Sequence, residues 1–333
     1  MALLCFLSFV IVLSLDIVSG TLYQAQFENF IQDFSKNYQS KEEFQYRLSI
    51  FSKNLKEAKR LQKEELGTAT YGVTKFSDLT DEEFAGYHLN LVDALPPDNL
   101  REYEIEAPPK QNSCDWRKAG VISEAKNQGK CGSCWAFAST ANIEALWGIR
   151  GNPMNLSVQQ IIDCGPCDAG CTGGFAWDAF TVVKREGGLV TEKLYPYKGS
   201  RGRCKSSSFK KVGRIDDFVK LPTDEGAMAS FVGKEGTLTA CLNATVLKHY
   251  QNGVLYPKRE NCSPRINHMV LLVGYTKDYN NYPYWIAKNS WGNNWGENGY
   301  FRIFRGENVC GITKYPVSAV INDPEKRKIP CPP

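Results

Sequence analysis

The placement of the cysteines constrains this chain more than any other feature. Of twelve, Cys5 sits in an apolar leader and the other eleven all lie beyond residue 113. An oxidising compartment pairs most such thiols, so the later part is expected to be a cross-linked body, while the front must fold without disulfides. Eleven is odd, so at least one thiol stays outside an intramolecular bridge. The compartment is read independently from residues 2–15, an apolar run too short to span a bilayer and followed by the small residues Ser19 and Gly20. It predicts a secretory signal peptide over residues 1–20. No Lys-Asp-Glu-Leu type retention signal closes the chain. The secretory pathway is therefore expected, with a lysosome or related vesicle ahead of the endoplasmic reticulum or the exterior. Asn155, Asn243 and Asn261 head Asn-x-Ser/Thr triplets and are candidate glycan acceptors.

Charge divides the chain at the same place. Thr21 to Pro108 carries 10 basic and 16 acidic residues, and Pro109 to Pro333 carries 30 and 19. An acidic front joined to a basic body favours docking of one on the other. The total of +4 is too small to suggest a nucleic-acid partner, and 42% hydrophobic residues exclude wholesale disorder.

In the front segment, Ser40 and Glu43 form a capping box that opens a long helix. Glu43, Arg47, Phe51, Asn54, Ala58 and Gln62 fall on one stripe of it, with Phe51 as apolar anchor. Gly72, Thr74, Phe76 and Asp78 alternate with period two, as on a strand. Thr80 and Glu83 cap a short second helix. Residues 92–112, with Pro96-Pro97 and Pro108-Pro109 among acidic residues, read as a linker open to proteolysis. The body starts near Ser113. Helices are expected from Cys134 to Trp147, from Ser157 to Cys164 and from Phe175 to Arg185. Strands follow at His268 to Tyr275, Tyr284 to Lys288 and Tyr300 to Phe304. Helices first and strands later imply an α+β body with two packed halves.

The chemistry concentrates in Gln128-Gly-Lys-Cys-Gly-Ser-Cys-Trp135, Asn267-His-Met-Val270 and Lys288-Asn-Ser-Trp-Gly292. A thiol is a poor nucleophile until ionised. Cys134, at the start of a helix, gains from the positive end of the helix dipole, and His268 as imidazolium would stabilise its thiolate and then act as general acid. Asn289 would orient the imidazole, Trp291 would shield that hydrogen bond, and Gln128 with the Cys134 amide would form an oxyanion hole. Two other readings compete: Cys131-x-x-Cys134 as a redox pair, and Cys164-x-x-Cys167 as half of a zinc site. Neither accounts for Gln128 or for the settings of His268 and Asn289.

These motifs, their order and their spacing resemble the papain family of cysteine proteases over essentially the whole chain after the leader, and within it the cathepsin F/W branch. Ser113-Cys-Asp-Trp-Arg-Lys118, Asp163-Cys-Gly-Pro-Cys167, Gly173-Gly-Phe-Ala-Trp-Asp178 and the closing Cys331-Pro-Pro carry the resemblance to that branch, and the front stripe resembles its proregion, where most relatives have Ile and Asn in place of Ala58 and Gln62. The resemblance implies a papain-like, two-lobed body (109–333), one lobe helical and one β-barrel-like, with the active site in the cleft. A helical inhibitory proregion (21–108) precedes it. It implies disulfides Cys131–Cys171, Cys164–Cys204 and Cys262–Cys310. Cys114, Cys167, Cys241 and Cys331 stay unassigned, with a fourth bridge open among Cys114, Cys167 and Cys331.

By the same resemblance the chain is a cysteine endopeptidase made as a zymogen. Gly173 and Gly174 would pair with an extended peptide, and Phe175, Ala176, Cys241, Ile266, Met269 and Tyr315 would line a shallow hydrophobic pocket for the residue two positions before the cut. No cofactor or metal is expected. The expected partners are protein or peptide substrates, the chain's own proregion and cystatin-like inhibitors, and a monomer is expected. Protonation of proregion carboxylates would loosen its docking, giving activation at low pH. Thr74 replaces the usual Asn of the proregion's alternating motif, which should weaken docking. Thr237 replaces the usual Pro after Gly236, which should leave the cleft wall less rigid. The alternatives are a catalytically silent binding protein on the same fold and a freed proregion that inhibits proteases in trans.

Overall fold

The computed structural model describes residues 22–89, 96–104, 111–166, 170–263, 265–279, 281–323 and 328–333. The leader with Cys5, parts of the linker and Cys167 lie outside them.

The front segment folds around aromatic packing. Helix α1 (residues 22–33) sets Phe27 and Phe30 against Phe51 of α2 (Lys41–Glu64), with ring centroids 5.2 and 5.1 Å apart. The polar members of the α2 stripe hold the following loop by its main chain. Arg47 donates to the Asp78 carbonyl, Asn54 to those of Ser77 and Leu79, and Gln62 to that of Ala69. That explains why polar groups recur on the buried side of this helix: each satisfies backbone that forms no ladder of its own. At the start of α2, Ser40 caps the Glu43 amide, but the Glu43 carboxylate accepts from Gln39 instead of Ser40. The box is complete at Thr80, which opens α3 (Asp81–His88).

The period-two pattern at residues 72–78 does not make a strand. A short β1 (Thr70–Tyr71) ends just before it, and the chain then turns, with Ser77 bonded to Thr74 and Leu79 to Phe76. The alternate side chains serve three different neighbours: Thr74 reaches the Lys248 carbonyl, Phe76 packs on Trp291, and Asp78 pairs with Lys36.

In the body, β2 (Cys114–Asp115) leads to helices α4 (Cys134–Ile149), α5 (Val158–Cys164) and α6 (Ala176–Arg185). Strand β3 (Asp217–Lys220), helix α7 (Glu225–Lys234) and strands β4 (Leu238–Leu242), β5 (Tyr250–Asn252), β6 (Val254–Leu255), β7 (His268–Lys277), β8 (Pro283–Lys288), β9 (Tyr300–Phe304) and β10 (Lys314–Val320) complete it. The main sheet runs β3-β10-β4-β7-β8-β9-β6, with β2 on β7, and β1 of the front pairs with β5 of the body. Helix α4 runs two residues past the expected end because Gly148 fits against Val121, where a Cβ would stand 3.0 Å from two of its atoms. All sixteen residues of α4 are buried. One apolar cluster joins α4, α5 and α6 to Cys241, Ile266 and Met269, and a second gathers the far side of the sheet, α7 and the front's Phe76 and Phe84. This two-lobed α+β arrangement agrees with the sequence-based expectation.

Three disulfides join the expected partners, and a fourth links Cys114 to Cys331. Cys134 and Cys241 stand outside any disulfide. With Cys131 bonded to Cys171, the redox pair Cys131–Cys134 is not available. Asn155 is exposed. Asn243 is buried and its amide donates to the Arg265 carbonyl, so it is not placed to carry a glycan. Asn261 donates to Glu64 of the front segment.

The Cys114–Cys331 bridge closes 217 residues of chain. Opening it with Cys331→Ser is expected to cost roughly 2–5 kcal/mol. At about 2–4 °C per kcal/mol for a body of this size, calorimetry should record a fall in Tm of roughly 4–20 °C.

Candidate active site

Two helix and strand starts meet at the junction of the lobes. Cys134 is the first residue of α4, His268 the first of β7, and α4 packs on β7. The Met269 amide favours the Cys134 sulfur as an anion, which sets the thiol against the opening of β7. The His268 ring bonds through Nε2 to Asn289 Oδ1 at 2.8 Å. Because that oxygen only accepts, Nε2 carries the proton, and Nδ1 is buried on the ring's other side. Asn289 Oδ1 also accepts from the Ser290 amide at 2.8 Å, which fixes its orientation.

Gln128 is fully buried and held at three points. Its amide donates to the Ser290 carbonyl at 2.8 Å, its Oε1 accepts from the Ser290 hydroxyl at 2.6 Å, and its Nε2 donates to the Cys131 carbonyl at 3.0 Å. One Nε2 hydrogen is left over. Tyr197 steadies the same loop, donating to the Gln128 carbonyl at 2.7 Å and lying 2.9 Å from the Ser133 hydroxyl. Sequence reasoning missed Ser290 and Tyr197. Ser290 sits inside a motif already singled out, while nothing local marks Tyr197.

Trp291 packs on His268 with centroids 4.8 Å apart, and the front segment brings Phe76, Phe84 and His88 to the same indole at 5.3, 5.4 and 6.0 Å. Burial beneath this aromatic cover sets the electrostatics. It pushes the Cys134 thiol up to about 11, and it pulls His268 down to about 4 against the favourable bond to Asn289 and the main chain of His88. Burial beneath the docked front thus favours the neutral form of both groups, the thiol and the imidazole. The other two histidines are drawn in as well. His88 packs at a tilt against Phe76, and His249, whose carbonyl accepts from the Gly72 amide, is buried.

The expected peptide-facing residues converge. Gly173 has φ +118°, and a Cβ on Gly174 would stand 2.7 Å from the Trp135 indole, so both positions require glycine. Phe175, Ala176, Cys241, Ile266 and Met269 share one cluster, with Tyr315 packed on it. Trp177, which sequence reasoning left out, stacks on Phe175 at 4.2 Å and meets Tyr315 edge-on at 5.5 Å. Both residues that depart from the family pattern make bonds here. Thr74 donates its hydroxyl to the Lys248 carbonyl at 2.6 Å, from the front segment to the body, and Thr237 accepts from Asn142 of α4 through its carbonyl at 2.8 Å. A proline there would keep the carbonyl bond but lose the second contact, from Asn142 to the Thr237 hydroxyl.

Comparison with known proteins agrees with this geometry. Residues 110–320 match the family described as papain family cysteine protease, and residues 27–84 match the cathepsin propeptide inhibitor domain. The chain is 43% identical to mouse cathepsin W over 92% of its own length and 90% of that protein, and 41% identical to mouse cathepsin F over 89% and 64%. The structure of the digestive procathepsin L2 proteinase from Tenebrio molitor superposes with a TM-score of 0.81 at 33% identity, covering 90% of this chain and all of that one.

With thiol and imidazole both desolvated under the front segment, iodoacetamide at neutral pH should label Cys134 slowly in the intact chain. Removal of residues upstream of the body should raise the labelling rate at least tenfold, as read by mass spectrometry of the peptide containing Cys134.

Proposed function

Because the chain belongs to the papain family of cysteine proteases and carries that family's propeptide inhibitor domain, we propose that it is a cysteine endopeptidase in which Cys134 is the nucleophile and His268 its acid–base partner. The observation that carries this reading is the buried His268–Asn289 bond under Trp291, beside a cysteine left outside every disulfide. Release of the proregion rehydrates the pair, so that His268 Nδ1 can take the Cys134 proton and the resulting imidazolium can hold the thiolate. The thiolate attacks the scissile carbonyl. The remaining Nε2–H of Gln128 and the Cys134 amide receive the oxyanion, and His268 returns its proton to the leaving amine. Asn289 keeps the ring oriented throughout. Gly173 and Gly174 offer main chain to an extended substrate, and the wall of Phe175, Ala176, Cys241, Ile266, Met269 and Tyr315 favours a hydrophobic residue two positions before the cut.

The proposed division is a signal peptide at 1–20, a proregion at 21–108 and a peptidase body at 109–333. Four disulfides support maturation in the secretory pathway. Cystatin-like inhibitors are the expected protein partners, and a monomer is the expected working state.

Acid activation follows from the histidines before the carboxylates. Burial pulls His249 down to about 4, with Lys248 adding to the effect and Glu57 and Asp81 opposing it, and burial likewise pulls His88 down to about 3. A histidine with an ordinary value near 6.5 when released takes up a proton on release that it lacks when docked. Docking is thus at full strength above about pH 6.5 and weakens as pH falls toward 4, by roughly 1.4 kcal/mol per pH unit for each such histidine. Asp81 behaves differently. Burial raises it, but the hydrogen bond and charge of Lys248 outweigh this and hold it below the usual carboxylate range, so its contribution is lost only at lower pH.

Two measurements test the reading. After acidification, a fluorogenic peptide with a hydrophobic residue two positions before the cut should be turned over by the wild type and not by Cys134→Ala, while Gln128→Ala should lose roughly 100- to 1,000-fold in kcat. Turnover that persists in Cys134→Ala would remove the nucleophile assignment. In the Cys134→Ala background, where self-processing cannot occur, His249→Gln should move proregion release, followed by tryptophan fluorescence, to lower pH. An unchanged midpoint would remove His249 from the switch.

A further inference from the structure

The segment that leads from the proregion to the body was expected to be a plain linker. Its described part, residues 96–104, is seated on the body. Arg101, Glu102 and Tyr103 run alongside β3, the outermost strand of the main sheet, in parallel register, with Glu102 opposite Lys220. The Lys220 amide donates to the Arg101 carbonyl at 2.9 Å, and the Tyr103 amide donates to the Lys220 carbonyl at 2.8 Å. Side chains add to the rung. Arg101 pairs with Asp217 at 3.2 Å, and Glu102 with Lys220 at 3.7 Å. The Tyr103 ring stands edge-on to Phe231 at 4.9 Å, and its hydroxyl donates to Glu235 at 3.3 Å. This is strand addition to a sheet edge, with main-chain bonds for affinity and flanking contacts for selectivity.

Excision of the linker strips this edge. The inner side of β3 stays paired with β10, but the Lys220 amide and carbonyl and the face of Phe231 lose their partners, and Asp217 keeps Lys184 on Oδ1 while its Oδ2 loses Arg101. An open sheet edge of this kind is a template for another extended chain. Its position makes one such chain available. Lys220 is opposite Val317 on β10, and Tyr315, two residues earlier on β10, lines the proposed substrate pocket. The edge is on the order of 10–15 Å from that pocket, about four extended residues.

We propose that the outer edge of β3, uncovered on maturation, is a second peptide-binding site that takes the upstream stretch of an extended protein substrate, from about the fifth residue before the cut. The favoured stretch carries a basic residue for Asp217 and an aromatic one for the Phe231 face, as the linker does. Lys220 can bond a strand of either direction. The inference rests on the peptidase reading above and adds to it a reason for long substrates to be preferred over short ones.

The test uses the matured enzyme, its N-terminus first determined by sequencing. Two fluorogenic peptides share the residues around the cut, and one extends upstream with an Arg and a Tyr. The extended peptide should show a KM at least fivefold lower. The double variant Asp217→Lys with Lys220→Glu should abolish that advantage and leave kcat/KM on the short peptide unchanged. A fluorescent peptide of residues 96–104 should bind the wild-type body and not the variant, as read by anisotropy, and this measurement decides the matter even if neither substrate is cleaved. Equal KM for the two peptides, equal loss on both in the variant, no binding of the 96–104 peptide, or a mature N-terminus that retains residues 100–104 would each overturn the proposal. Absence of turnover with peptide binding intact would instead overturn the peptidase reading.

Discussion

Helix α4 has no solvent face, and the rest of the molecule is arranged to meet that condition. A helix apolar on nearly all sides must be enclosed, and here α5 and α6 cover one flank while β7, β4 and β10 cover the other. Two of its polar side chains, Asn142 and Glu144, reach across to the strand lobe or to its approaches. Asn142 bonds Thr237 and Ser318, and Glu144 pairs with Lys126 at 3.0 Å and with Ser123, which in turn accepts from Lys288. Those bonds fix which end of α4 faces the sheet. The N-terminal residue of a helix so held is immobile, and so is the strand residue next to it. That is the requirement for a thiol and an imidazole that must meet within a few tenths of an ångström.

The front segment exploits the same junction. It reaches His268 through Trp291, whose indole meets Phe76, Phe84 and His88 as well as the imidazole, and so helps to bury the groups proposed for catalysis. The charge asymmetry between front and body is realised sparingly at the contact: the pairs Asp81 with Lys248 and Glu102 with Lys220 follow it, while Arg101 with Asp217 runs against it. Apolar packing and main-chain bonds supply the remainder, including Gly72 to His249 and Thr74 to Lys248.

What was legible in the sequence was what local chemistry writes there. The caps at Ser157 and Thr80, the ends of α6 and the strands through β7, β8 and β9 can be read from neighbouring residues alone, and Cys134, His268, Asn289 and Gln128 stand in motifs whose chemistry explains them. The failures share a cause. The alternation at Gly72 to Asp78 imitates a strand because three separate neighbours each claim every second side chain, and no neighbour is visible in a one-dimensional pattern. Nothing beside His88 or His249 in the chain marks them, because their settings are built by contacts across more than 150 residues of sequence. Thr74 and Thr237 looked like losses because a hydroxyl's partner is a tertiary fact.

The bond between Cys114 and Cys331 joins the two ends of the body to each other. Topologically the stretch between them is a ring. A cut upstream of Cys114 therefore leaves the ring closed. An exopeptidase that trims the chain as far as Cys114 meets a covalent knot there and not a fraying strand.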